Sequence, residues 1–149
     1  MQPKALETNE PVVLALVDAV TAWQAALEQT LSVSGLTYTK WLLLRAIGQE
    51  RLTRAQPFHG PVFMDIAEME TQLASLHADG WIEFTETGNA CISPAARARF
   101  DRAAQAVKAL HSVSVGHLNS EERAALGGLL QRMTGTLHDH AERRSRLAA

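Results

Sequence analysis

The sequence predicts a mainly α-helical chain interrupted by one small two-stranded hairpin. Apolar residues recur at three- and four-residue steps through most of the 149 residues, and Gly, Pro and capping residues fall between those stripes. Only one place differs, where two short runs, Trp81-Ile82-Glu83-Phe84 and Ala90-Cys91-Ile92, flank the turn-rich Thr85-Glu86-Thr87-Gly88-Asn89. A hydrophobic fraction of 46% and a charged fraction of 20% belong to a soluble globular protein long enough to bury a core.

Each element has its own signal. Val13, Leu16, Val17, Val20, Trp23, Leu27 and Leu31 form one helical stripe behind Asn9-Glu10-Pro11, so a first helix is expected from about Pro11 to Leu31. After a turn punctuated by Gly35, Thr37 is an N-cap for a helix carrying Trp41, Leu42, Leu44 and Ile47, with Gly48 expected at its C-cap. Between Glu50 and Met64, Pro57, Gly60 and Pro61 oppose a regular helix and leave room for a short one around Thr53 to Gln56. Asp65 then caps a helix with Ile66, Met69, Leu73 and Leu76 inward and Gly80 as its stop. Beyond the hairpin, Ser93-Pro94 opens a long helix carrying Phe100, Ala103, Val107 and Leu110 that ends near Val115-Gly116. The last helix starts at Leu118-Asn119-Ser120-Glu121-Glu122, where Asn119 and Glu122 have capping-box spacing, and continues with Leu126, Leu129, Leu130, Met133 and Leu137.

This order is the layout of a winged helix-turn-helix. One domain spans 1-149, with a winged-helix head at 36-93 and outer helices at 10-34 and 94-142 whose stripes have no obvious cover in a monomer. A second copy is the simplest cover, which makes the outer helices a dimerisation region.

From about residue 10 to 140 the chain resembles the MarR family of transcriptional regulators. Gly35 to Leu44 is similar to that family's entry into the second helix, and Leu73 to Ile82 to its recognition helix running into the wing. Leu118 to Glu122 resembles the start of its last helix, and Leu129 to Met133 the continuation. The resemblance implies a homodimer, a recognition helix in the major groove of double-stranded DNA, wings reaching the minor groove, and a small aromatic effector bound between dimer and DNA regions. Trp23, Tyr38 and Trp41 are the residues for that pocket, Tyr38 foremost for its hydroxyl, although aromatics at helical spacing are more often core.

The DNA-facing part departs from this pattern. From Ala55 to Ala96 there is no Lys or Arg in 42 residues, where proportion would place about four of the chain's 14. Six acids lie there instead: Asp65, Glu68, Glu70, Asp79, Glu83 and Glu86. The family's wing carries an Asp-x-Arg pair in a longer loop, whereas this turn is short, acidic and without arginine. Phosphate neutralisation supplies most non-specific DNA affinity, so this matters. The outward face of the Asp65 helix offers Thr71, Gln72 and Ser75, either as base-edge readers or as an ordinary solvated surface. Arg51 and Arg54 have the chemistry to clamp phosphate. Arg97, Arg99 and Arg102 could do so too, but their spacing points them apart and solvation fits them better.

Two functions follow: a DNA-binding regulator, or a winged-helix protein that has left ordinary DNA binding and acts on a protein partner through an acidic face. Catalysis finds no support, since there is no nucleophile elbow, glycine-rich phosphate loop or acid–histidine pairing. No cofactor is expected. His138 and His140 point about 200° apart on a helix and cannot chelate together. Cys91, among acids, reads as an inert strand cysteine. The N-terminus lacks a basic stretch followed by an apolar core, and uninterrupted apolar runs are short, so a cytoplasmic protein is expected.

Overall fold

The computed structural model describes residues 4–148. The elements run α1 (Lys4–Ser32), α2 (Tyr38–Gly48), α3 (Ile66–Ala78), β1 (Ile82–Phe84), β2 (Ala90–Ile92), α4 (Arg97–Ser114) and α5 (Ser120–Ala148). By compactness the chain divides into Met1–Leu110 and His111–Ala149.

The first unit is built on one core. Leu27 and Leu31 from the end of α1 pack with Leu43, Leu44 and Ile47 of α2, Met69, Leu73 and Leu76 of α3, and Trp81 and Ile82 at the base of the hairpin. Ala103 and Val107 add the inner face of α4. Ile66, expected inward, stays 42% exposed, because it lies in the first turn of α3 at the margin of the core.

The N-caps of α2 and α3 are those the sequence implies. Thr37 accepts from the backbone N–H of Lys40 at 3.3 Å, and Asp65 accepts from Glu68 N–H at 2.8 Å. Each satisfies a backbone donor that the first helical turn leaves without a partner. Gly80 stops α3 in the left-handed region at φ +80°. Gly48 does not act as the expected C-cap: α2 ends on it, Gln49 caps, and Glu50 takes the left-handed φ of 57°. Gly48 is small for another reason. A Cβ there would stand 3.0 Å from the Phe100 ring of α4.

Residues 49–65 contain no helix. The short helix expected around Thr53 to Gln56 is reduced to a single turn, with Gln56 N–H donating to Thr53 at 3.4 Å. Pro57, Gly60 and Pro61 stop it from propagating. The segment instead closes on an isolated antiparallel bridge, Phe58 to Met64, with backbone bonds of 2.8 and 3.1 Å. Met64 is fully buried and anchors the loop ahead of α3.

The hairpin pairs Ile82 with Ile92, Glu83 with Cys91 and Phe84 with Ala90. Ser93, expected as the cap of the next helix, makes no capping bond. A 3-10 turn over Pro94–Ala96 leads into α4 instead, and the Ser93 hydroxyl reaches Glu83 at 3.4 Å. The first helix begins seven residues ahead of the expected Pro11. In it Asn9–Ser32, with a mean hydropathy of 1.3, is by length and composition apolar enough to cross a membrane, although its uninterrupted apolar runs are short.

In the second unit, Asn119 and Glu122 form a complete capping box: Glu122 N–H donates to Asn119 at 2.9 Å and Asn119 N–H to Glu122 at 3.0 Å. None of the residues of α5 is buried.

Candidate nucleic-acid interface

Helix α3 has an apolar inner edge and a polar outer one because its sequence keeps strict helical spacing. Met69, Leu73 and Leu76 are completely buried, which turns Glu68 and Thr71 to solvent and leaves Glu70, Gln72 and Ser75 half-buried. The Thr71 hydroxyl donates to the Ala67 carbonyl at 3.0 Å, so its hydrogen is engaged and its lone pairs remain as acceptors. Gln72 and Ser75 make no side-chain hydrogen bond within the chain. Of the three residues predicted for base reading, Gln72 and Ser75 therefore each keep both a donor and an acceptor, on a helix whose inner edge is buried.

The two arginines predicted as phosphate clamps part company. Arg51 is exposed and its side chain has no partner. Arg54, partly exposed, uses all three of its guanidinium nitrogens within the chain. Its Nε donates to Glu70 Oε1 at 2.9 Å, its Nη2 to Glu70 Oε2 at 2.6 Å, and its Nη1 to the carbonyl of Gly88 in the wing at 2.6 Å. The guanidinium also lies 4.5 Å from the centre of the Phe84 ring. Accepting from Arg54 holds the Glu70 carboxyl below its usual range, and the same bond raises Arg54 further. Sequence reasoning missed this pair because the residues are sixteen apart and no helical or strand spacing relates them.

Other cations near the interface are also in use. Lys40 pairs with Asp79 at 3.7 Å, and Arg99 lies 4.2 Å from the Trp81 ring while donating to the Asp79 carbonyl at 3.3 Å. Arg97 pairs with Asp101 at 3.6 Å, one turn along α4. Among the four Lys and Arg of residues 36–96, only Arg45 and Arg51 are without an acid partner.

The aromatic trio predicted for an effector is divided between core and margin. Trp41 is 6% exposed and stacks on Phe100 with centroids 6.0 Å apart, so it is core. Trp23 and Tyr38 meet edge to face at 6.4 Å and remain half-buried. Cys91 is a free, half-buried strand residue.

A buried-edged helix feeding directly into an antiparallel hairpin, with a capped helix before it and long helices on either side in sequence, defines the winged helix-turn-helix class. The chain matches no protein-family profile and no curated protein, but it has the MarR-type winged-helix fold. It is similar to the MarR family protein Rv2887 of Mycobacterium tuberculosis in complex with DNA, with 19% identity and a TM-score of 0.63 over 83% of this chain and 97% of that one. A mutant of Escherichia coli MarR complexed with operator DNA matches with 19% identity and a TM-score of 0.60 over 83% and 93%. BpsR of Bordetella bronchiseptica, whose DNA binding is regulated by 6-hydroxynicotinic acid, matches with 20% identity and a TM-score of 0.61 over 83% and 92%.

Proposed function

We propose that the protein is a DNA-binding transcriptional regulator that works as a homodimer, with α3 in the major groove. The observation carrying this reading is the outward edge of α3. Thr71, Gln72 and Ser75 sit on a helix whose opposite edge is completely buried, which is how a base-reading helix must be held. Two of the structural neighbours are complexed with DNA, which supports it.

The dimer reading rests on unburied apolar faces. Val13, Val17 and Val20 share a face of α1 and are each more than 40% exposed. Leu126, Leu129, Leu130 and Leu137 are similarly exposed on α5. A contiguous apolar face of this kind calls for a partner surface, and a second copy supplies one. The same requirement accounts for the apolar stretch of α1, which carries Glu10, Asp18 and Glu28 and would take those acids into a bilayer if it crossed one. A small aromatic ligand would meet Trp23 and Tyr38, since Phe100 closes off Trp41. Such a regulator works in the cytoplasm, beside the DNA.

The test is binding of the purified protein to its own upstream region across a salt series. With Arg45 and Arg51 the unpaired cations of each head, the dimer should show a log–log salt slope of about −4, shallow for a repressor. Gln72→Ala should lower affinity for a palindromic site by about 1–3 kcal/mol, with Ser75→Ala weaker. The absence of salt-sensitive binding would favour the second reading, an acidic head that engages a protein. Its specific support is the run from Ala55 to Ala96, which holds six acids and no Lys or Arg.

A further inference from the structure

The wing is too short to hold its own position. It has three residue pairs, and a two-stranded ribbon of that size is marginal in water. Its base is fixed, because Trp81 and Ile82 are buried. Its tip is closed by Thr85 N–H on Asn89 and Gly88 N–H on Thr85, both at 2.8 Å, and these bonds shape the turn without attaching it to anything.

Attachment comes from Arg54, which lies in the loop ahead of α3. One guanidinium spans three places at once: the Glu70 carboxylate on α3, the Gly88 carbonyl at the wing tip, and the face of Phe84 in β1. Phe84 also meets His77 of α3, with ring centroids 5.2 Å apart. A planar fork with donors diverging in one plane suits this arrangement, and a lysine ammonium does not.

We infer that Arg54 is a positioning residue, a strap that fixes the wing tip against α3 so that helix and wing meet a duplex as one body, and that it makes no phosphate contact. The wing has no arginine of its own, and its placement is set by a residue 34 positions upstream of the glycine it holds. The consequence for binding rests on the DNA reading above. The mechanical claim does not.

Amide hydrogen exchange on the full chain without DNA tests the mechanical claim. In Arg54→Ala, and in Glu70→Gln should the first variant fail to fold, the wing-turn amides of Thr85 and Gly88 should exchange about tenfold faster, while those of Leu43 and Leu44 in α2 stay at wild-type rates. Arg54→Lys should not restore protection. Wild-type exchange at Thr85 and Gly88 in the variants, or full rescue by lysine, overturns the strap.

The binding arm separates positioning from phosphate contact. Arg54→Ala should weaken duplex binding with an unchanged salt slope, whereas Arg51→Ala should flatten the slope by about 0.9 per lost contact and leave wing exchange unaltered. A flatter slope in Arg54→Ala makes it a phosphate ligand and overturns the inference. If the wild-type protein shows no salt-dependent binding, the regulator reading fails and exchange alone decides the strap.

Discussion

The head and the last helix carry apolar stripes of the same period and treat them in opposite ways. In α3, Met69, Leu73 and Leu76 are fully buried against α2 and the hairpin base. In α5, Leu126, Leu129, Leu130 and Leu137 keep between 38% and 58% of their surface exposed, and no residue is buried. Periodicity therefore says that a face needs cover but not what covers it. The stripe of α3 is covered within the chain, by α1, α2, α4 and the hairpin base, whereas no residue of α5 is buried.

Equivalent substitutions in the two regions should break that symmetry. Leu73→Ala removes a completely buried side chain and should lower unfolding free energy by about 2–5 kcal/mol, read from denaturant midpoints at constant m-value. Leu129→Glu should do its damage elsewhere. It should raise the dimer dissociation constant at least about tenfold in sedimentation equilibrium and change the stability of the diluted monomer by under about 0.5 kcal/mol. An unchanged mass distribution would remove α5 from the interface.

Smaller effects sharpen the picture. Asn119→Ala deletes one half of the α5 capping box and should cost about 1 kcal/mol of helix stability, visible as fraying of the first-turn amides by exchange. The smallest effect is acid-dependent. Because Arg54 holds the Glu70 carboxyl below its ordinary value, the pair's contribution is complete above the unfolded glutamate range near about 4.3 and is lost as pH falls through the lower folded value. Wing exchange, corrected for its intrinsic pH dependence, should be level from neutrality down to that range and rise only below it. Loosening between pH 6 and 8 would assign the wing's hold to a group other than Glu70.

Much of the candidate site was legible before folding was considered. The exposed place of Thr71 and the half-buried places of Gln72 and Ser75 follow from the steps between Met69, Leu73 and Leu76, and Asp65 marks the start of the helix by its type alone. The failures share a cause. Gly48 resembled a helix stop but instead lies close under the Phe100 ring, a neighbour remote in sequence. Thr53 to Gln56 kept a little helical character but met Pro57 and closed through the Phe58 to Met64 bridge. Arg54 looked like a free cation because the acid that claims it is four helical turns away in sequence count and on a different element.

What the sequence determined by itself was local: helix periods, the N-caps Thr37, Asp65 and Asn119, the hairpin turn and the scarcity of cations from Ala55 to Ala96. These depend on neighbours within about four residues, whose geometry the backbone dictates. Tertiary structure alone decided which charges are free. A guanidinium pairs with whatever carboxylate and carbonyl the fold brings within 3 Å, and for Arg54 those groups lie sixteen and 34 residues along the chain.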